Sequence, residues 1–511
     1  MRTSRLVALV AAVMFAASCS GGGGGVDVDG QGGGGSGGGG GTLIAAISAE
    51  PDKLDPHATT AYASFQVLEN VYDTLVVPNP EDFSFEPSLA TEWSTSSDER
   101  TWTFQLREGV KFHDGSAFDA ADVVYSFNRI IDNDLATAFR LEAVRDIRAQ
   151  DRNTVVVELK QPAPNLLSLV GDYKGMSILP EGAADEHNLN TEAVGTGPFE
   201  LAATSPGSIE LTANKNYWGE GPFVSGVEFR VVSEPTTALT QLSTGEVHWT
   251  DNIPPQQITS LEDDESVTIE TVPSVDYWYM SMNFERPPFD DPQVREAVAY
   301  GLDREAITET AKFGAAEVNQ TAIPEGSRWY YDYAPYSHDP ERARQLLQQS
   351  GTSNAQMGLM VTDEYPETVQ AAQVIKANLA EVGINVSIQV EDFATWLDRQ
   401  GRGEYDAFML GWLGNIDPFG FYHAQHTCSG SNNYQNYCDQ QTTRLLEQAA
   451  TETDEDQRKE LYDQAVKRIV DDNSYIYLYN PDVVQAWAPD VSGYQIRPDR
   501  AINFETVKLG G

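Results

Sequence analysis

Two imidazoles and a thiol fall within six residues in His423-Ala424-Gln425-His426-Thr427-Cys428. Such donors suit zinc, nickel or copper. Cys428 has a competing use, because Cys438 follows it across a stretch rich in Ser, Gly and Asn, and the two thiols can join where the surroundings are oxidising. The expectation is loop histidines beside a Cys428–Cys438 disulfide, with no metal and no cofactor. Just upstream, Trp412 ends an apolar run, the place where α/β proteins open their clefts, and Phe419, Phe421 and Tyr422 follow in what reads as a loop. The chain has 77 Asp and Glu against 33 Lys and Arg, a formal net charge of −44. No two of these carboxylates can be paired as acid and base from sequence. The G-x-S-x-G, H-E-x-x-H, G-x-x-x-x-G-K-[ST] and G-x-G-x-x-G strings are missing. Their absence makes an enzyme less expected without excluding one, and a secreted hydrolase using carboxylates or the His423/His426 pair is the form it would take. The charge excludes a nucleic-acid binder, which needs a surplus of Lys and Arg.

With 511 residues, 41% of them hydrophobic, the chain can form roughly three compact units. Residues 1–18 read as a signal peptide: Arg2 and Arg5 precede an apolar run over 6–17 that is too short to span a bilayer. Ala16-Ala17-Ser18-Cys19 resembles a lipobox, departing from it at Ala16 where Leu is more usual, so Cys19 is the expected lipid anchor. Residues 21–41 contain 15 glycines and cannot bury enough apolar area to offset their ordering entropy. Residues 19–41 are thus a lipidated tether, holding a folded body outside the cytoplasm on the cell membrane. The acidic surface also suits high salt.

In the body, spacing predicts strands over 42–47, 101–106, 155–159, 209–213, 227–232, 277–283, 384–390, 405–412 and 475–479. Helices are expected over 64–76, 119–131, 236–245, 292–301, 340–350, 368–382, 442–450 and 456–471. Mixed strands and helices without a repeat indicate an α/β or α+β protein.

Several segments together resemble solute-binding proteins of ABC importers, family 5, the peptide/nickel group. Leu89-Ala90-Thr91-Glu92-Trp93 continues through Trp102-Thr103-Phe104-Gln105-Leu106-Arg107-Glu108-Gly109-Val110-Lys111-Phe112-His113-Asp114-Gly115 to Ala121-Asp122-Val123-Val124-Tyr125-Ser126-Phe127. Leu54-Asp55-Pro56, Gly195-Thr196-Gly197-Pro198-Phe199, Asn216-Tyr217-Trp218 and Asp291-Pro292-Gln293-Val294-Arg295-Glu296-Ala297 follow the same pattern. The resemblance implies an α/β, two-lobed periplasmic-binding-protein-like fold of class II type, with an extra subdomain inserted in lobe one. Lobe one would comprise 42–75, 196–274 and 480–511, the insertion 76–195 and lobe two 275–479, with hinge crossings at 277–283 and Asn480-Pro481. It implies a monomer that delivers a small solute, expected to be a peptide, to ABC permease subunits. An oligosaccharide, an opine or a metal chelate is the alternative.

Peptide-binding relatives commonly grip the ligand's amino group with an Asp shortly after a Gly-Trp pair. The matching position here is Asn415, a neutral residue, with Asp417 two residues on. The expected ligand contacts are Trp412, Gly414, Asn415, Asp417, Phe421, Tyr422 and, in the hinge strand, Trp278. The Cys428–Cys438 segment also resembles a disulfide loop of dipeptide-binding relatives.

Overall fold

Helix starts are written in this sequence as Asp followed by Pro. Asp291 and Asp339 accept backbone N–H groups at the heads of the Pro292–Gly301 and Pro340–Gln349 helices, and each proline occupies a first-turn position whose N–H has no helical partner. Ala120–Asp132 instead begins with a capping box, in which Asp119 accepts from Ala121 N and Asp122 accepts from Asp119 N; Val123, Phe127 and Ile130 are buried. The computed structural model describes residues 40–510 except Asp82 and Asn415. The signal segment, Cys19 and nearly all of the Gly-rich tether therefore lie outside the described residues, as does Asn415.

Three hydrophobic cores form. The first gathers residues between Val275 and Tyr479. The second combines residues from 43–72, 179–267 and 486–507, with Ala315. The third draws on residues between Leu75 and Ile178, with Val194. The third core is built on a four-stranded antiparallel sheet in the order Ala90–Thr95, Thr101–Leu106, Thr154–Leu159, Val144–Asp151. Its Thr101–Leu106 strand alternates as its sequence requires, with Trp102, Phe104 and Leu106 inward. The turns after it place Gly109 and Gly115 at φ of 80° and 88°, a region that disfavours any residue with a Cβ. Leu179, Ala183, Leu189 and Ala193, expected in the insertion, pack in the second core instead, because the chain has already turned back at Ile178, whose N–H donates to the Asp73 carbonyl at 3.0 Å.

The first and second cores share one sheet. Its spatial order is Ile384–Glu391, Ala355–Thr362, Ala407–Trp412, Tyr277–Met282, Ile476–Trp487, Trp249–Thr250, Gly40–Ile47, Val224–Val231, Ser208–Ala213, Phe199–Ser205. The Ile476–Trp487 strand links the two halves. Ile476, Tyr477 and Tyr479 pair with the Tyr277–Met282 strand, whereas Asp482–Trp487 pair with Thr268–Pro273. The sequence suggested a strand ending at Tyr479. It continues because Pro481 lends only its carbonyl, which accepts from Ser274 N at 3.2 Å and Ser274 Oγ at 2.6 Å.

Two other expectations change. The helix expected over 64–76 is Tyr62–Leu68, since Asn70 is diverted into tertiary pairing: its Nδ2 donates to Ile502 O (2.8 Å) and its Oδ1 accepts from Phe504 N (3.0 Å). Pro418–His426 is a helix, not a loop. Asp417 caps it by accepting from Phe419 N at 2.9 Å, and its buried residues Pro418, Phe421, Tyr422, Gln425 and His426 follow helical spacing, a stripe hidden in the sequence because two of its members are polar.

Candidate functional site

The chain passes between the first and second cores at residues 274–276 and 480–482, and polar groups converge there. Asn480 Nδ2 donates to the carbonyls of Asp276 (2.7 Å) and Ala322 (2.8 Å). Asp276 is 3% exposed. Its Oδ1 accepts from Gly414 N at 2.9 Å and its Oδ2 from Arg500 Nη1 at 3.2 Å. Gly414 directly follows the first-core strand Ala407–Trp412 and a single residue, and a Cβ built on it would stand 1.7 Å from the Val275 carbonyl oxygen. Only a glycine lets this backbone lie against the crossing.

On the second-core side, Tyr62 Oη donates to Asp251 Oδ2 at 3.2 Å, and Gln66 Nε2 donates to the same oxygen at 2.8 Å. The Arg500 guanidinium lies 4.3 Å from the Tyr62 ring centre. Burial works to deprotonate Arg500, but Tyr62, Asp276 and Asp251 outweigh it and hold the pKa above its ordinary value. The Arg500 backbone sits at φ 64°, an uncommon conformation for a residue with a side chain, fixed by Arg500 N donating to Arg497 O (3.0 Å) and by Tyr62 Oη donating to Arg500 O (3.2 Å). Arg497 holds Asp499 through Nε at 3.0 Å and Nη2 at 2.7 Å. Glu69 is half-buried; burial, reinforced by the negative charge of Asp499, pushes its carboxyl up to about 8.

The first-core side presents Trp278, Tyr365, Lys312 and Glu367. Trp278 and Tyr365 meet edge to face at 5.9 Å, and the indole covers Gly411, where a Cβ would come within 2.6 Å of it. Lys312 pairs with Glu367 at 2.9 Å and lies 5.3 Å from the Trp278 ring centre. Burial raises the Glu367 carboxyl, and Lys312, aided by Arg500, overrides that to hold it below its ordinary range. The positive charge of Arg500 also reaches Tyr365, so the two sides are electrostatically coupled. Tyr62, Glu69, Asp251, Arg500, Lys312, Glu367, Tyr365 and Trp412 all remain half-exposed within this polar seam. A binding surface needs such groups: placed by the fold, yet reachable.

The model of the bacterial extracellular solute-binding proteins, family 5, matches residues 84–433, more than half of the chain. The chain belongs to that family. The Escherichia coli (strain K12) dipeptide-binding protein is 28% identical over 510 residues, covering 92% of this chain and 94% of its own. The structure of the periplasmic binding protein DppA from Helicobacter pylori, in complex with peptide STSA, superposes with a TM-score of 0.82 at 27% identity, over 92% of this chain and 98% of that one. AgaA from A. tumefaciens R10, in complex with agropinic acid, gives the same TM-score and identity, over 92% of this chain and 99% of that one. The two-lobed α/β fold expected from sequence is thus the fold of this family 5 chain, and its relatives are solute-binding proteins.

The residues singled out in the sequence divide in this frame. Gly414, Trp278 and Trp412 lie at or beside the seam. Trp412 pairs with Tyr277 and Gly411 with Trp278, so the two tryptophans stand on opposite faces of the sheet. Asp417 is committed elsewhere: Arg458 Nη1 and Nη2 each reach one of its oxygens at 2.7 Å, with the two side chains 11% and 4% exposed. Phe421 and Tyr422, each 1% exposed, fill the first core because the helix containing them turns them inward. His426 is fully buried, with Nδ1 at 2.8 Å from Ser474 Oγ and Nε2 at 3.1 Å from Tyr477 Oη, and burial takes its imidazole down to about 3. His423 stacks on Phe419 at 4.5 Å. Cys428 and Cys438 form a disulfide with Cα atoms 4.5 Å apart. Among the described residues no cluster of three or more His, Cys, Asp or Glu is arranged to hold a metal, and no helix is long and apolar enough to cross a membrane. Tyr62, Glu69, Asp251, Asp276, Lys312, Glu367 and Arg500 went unnoticed in the sequence, scattered over more than 400 positions without a motif.

Proposed function

We propose that this family 5 protein captures a peptide between two lobes that close about the 274–276 and 480–482 crossings, and delivers it to the permease of an ABC importer. The first core would be lobe two and the second core lobe one, with the third core as the insertion. The observation that carries the reading is the seam, where half-exposed aromatic and charged groups from both cores face one another around a narrow crossover. Solute contacts reaching both sides would favour the closed population. Trp278, Trp412, Gly414 and Asn415 are the retained contact candidates. Likeness to dipeptide- and peptide-binding proteins supports a peptide. Cys19 would carry the lipid that keeps a monomer at the outer face of the cell membrane.

A second reading, a non-peptide solute such as an opine, draws support from the equal similarity to AgaA and from the neutral Asn415. Native mass spectrometry of protein purified from rich medium, with identification of what denaturation releases, separates the two. Short peptides of varied sequence at one per protein support peptide capture, and a single non-peptide mass overturns it.

A further inference from the structure

Lys174 is 8% exposed and is the buried lysine among the described residues. Its neighbour Tyr173 packs against the second core, while the Lys174 Nζ donates to the Gly414 carbonyl, on the first-core side of the seam, at 3.4 Å. The ammonium also lies 5.1 Å from the Tyr173 ring centre. An ammonium has three donors, and among the described residues this long bond is the one that Lys174 Nζ makes. No carboxylate of the described residues lies within ion-pair distance of it. The acids around it are otherwise occupied. Asp499 is held by both arms of Arg497, which keep its carboxyl ionised more strongly than the more distant charge of Lys174 does. Asp172 accepts the Lys174 backbone N–H at 2.9 Å and pairs with Arg140 at 2.5 Å. Glu69 accepts from Ile502 N at 2.6 Å, and burial and Asp499 push its carboxyl up against the pull of Arg497 and Lys174, so it is a poor anion for the ammonium. A buried cation with open donors is unfavourable unless an anion completes it.

We propose that the solute carries a carboxylate and that Lys174 is the specificity-determining residue that receives it, an inference that rests on the seam being the solute cleft. The two oxygens of a carboxylate match the open donors of the ammonium, and both a peptide and an opine acid supply one. Because Lys174 already touches Gly414, a carboxylate bound there would sit against both sides of the seam at once.

The test is isothermal titration of the protein with Ala-Phe and Ala-Phe amide, and with an N-carboxyethyl amino acid and its amide. In whichever pair binds, the acid should be preferred by about 10- to 100-fold, the range of a charge-assisted hydrogen bond. Lys174→Met should bring acid and amide within about threefold of each other by weakening the acid, and Lys174→Arg should keep most of the preference. Equal binding of acid and amide by the unaltered protein, or a preference that survives in Lys174→Met, overturns the assignment. If the non-peptide pair alone binds with this preference, the peptide reading falls and Lys174 stands. Should neither pair bind, denaturant unfolding of the unliganded protein decides. Lys174→Met at least as stable as the parent supports an ammonium awaiting its anion; a less stable variant marks Lys174 as a strut on Gly414 and overturns the proposal.

Discussion

Asp417 offers a direct contest between a ligand-anchoring carboxylate and a structural one. Its oxygens meet the Arg458 guanidinium in a two-pronged pair at 2.7 Å each, the guanidinium stacks 5.0 Å from the Trp329 ring centre, and the side chains are 11% and 4% exposed. Removing one partner of a buried pair strands the other charge and costs about 3–5 kcal/mol. Asp417→Asn keeps the size and the oxygen that caps Phe419 N, so the expected loss is near the lower end, about 3 kcal/mol. Adding Arg458→Met removes the stranded charge and leaves the Ala449 carbonyl, which accepts from Arg458 Nε at 3.0 Å, without that donor, at about 1 kcal/mol. The double variant should therefore regain about 2 kcal/mol over Asp417→Asn. The assay is guanidinium unfolding of the two single variants, the double variant and the parent, alongside solute titration of each. The pair's structural role predicts large, coupled stability changes with solute affinity within about threefold. If Asp417→Asn unfolds within 1 kcal/mol of the parent while losing more than tenfold in affinity, the carboxylate belongs to the solute and the reasoning fails.

Two further outcomes follow from the seam. Gly414→Ala should push the crossing backbone aside, since its Cβ would start 1.7 Å from Val275 O; unfolding measurements should show a loss of about 2–3 kcal/mol, and titration more than tenfold weaker solute binding. Glu69 sets a pH effect: folded it binds a proton up to about pH 8, unfolded only to about 4.5, so between these values the native state holds the extra proton and stability falls as pH rises. Unfolding free energy should drop by about 1–2 kcal/mol between pH 6.5 and 8 from this group, allowing for its half-exposure, and Glu69→Gln should flatten that slope when measured in parallel.

What could be read in advance, and what could not, follows from where the information lies along the chain. Val123, Phe127 and Ile130 announce their helix because local spacing dictates which face is buried, and Trp102, Phe104 and Leu106 announce their strand in the same way. Asp417-Pro418 is also a local signal, of the same kind as Asp291-Pro292, but the neutral Asn415 two residues before it makes Asp417 look like the missing ligand anchor. Its partner is 41 positions away, and nothing in the residues around Asp417 names Arg458. The seam is the extreme case. Asp276 joins Gly414 and Arg500 across separations of 138 and 224 positions, and Lys174 reaches Gly414 across 240. Asp276, Arg500 and Lys174 each look like an ordinary surface charge in their own segment, and in a chain with 77 acids no single carboxylate stands out. Only the pairing of the Ile476–Trp487 strand with both halves of the sheet brings the distant segments to one crossing. The one local trace is Gly414, whose missing side chain is required by the Val275 backbone rather than by any turn, and whose N–H and carbonyl are taken by Asp276 and Lys174.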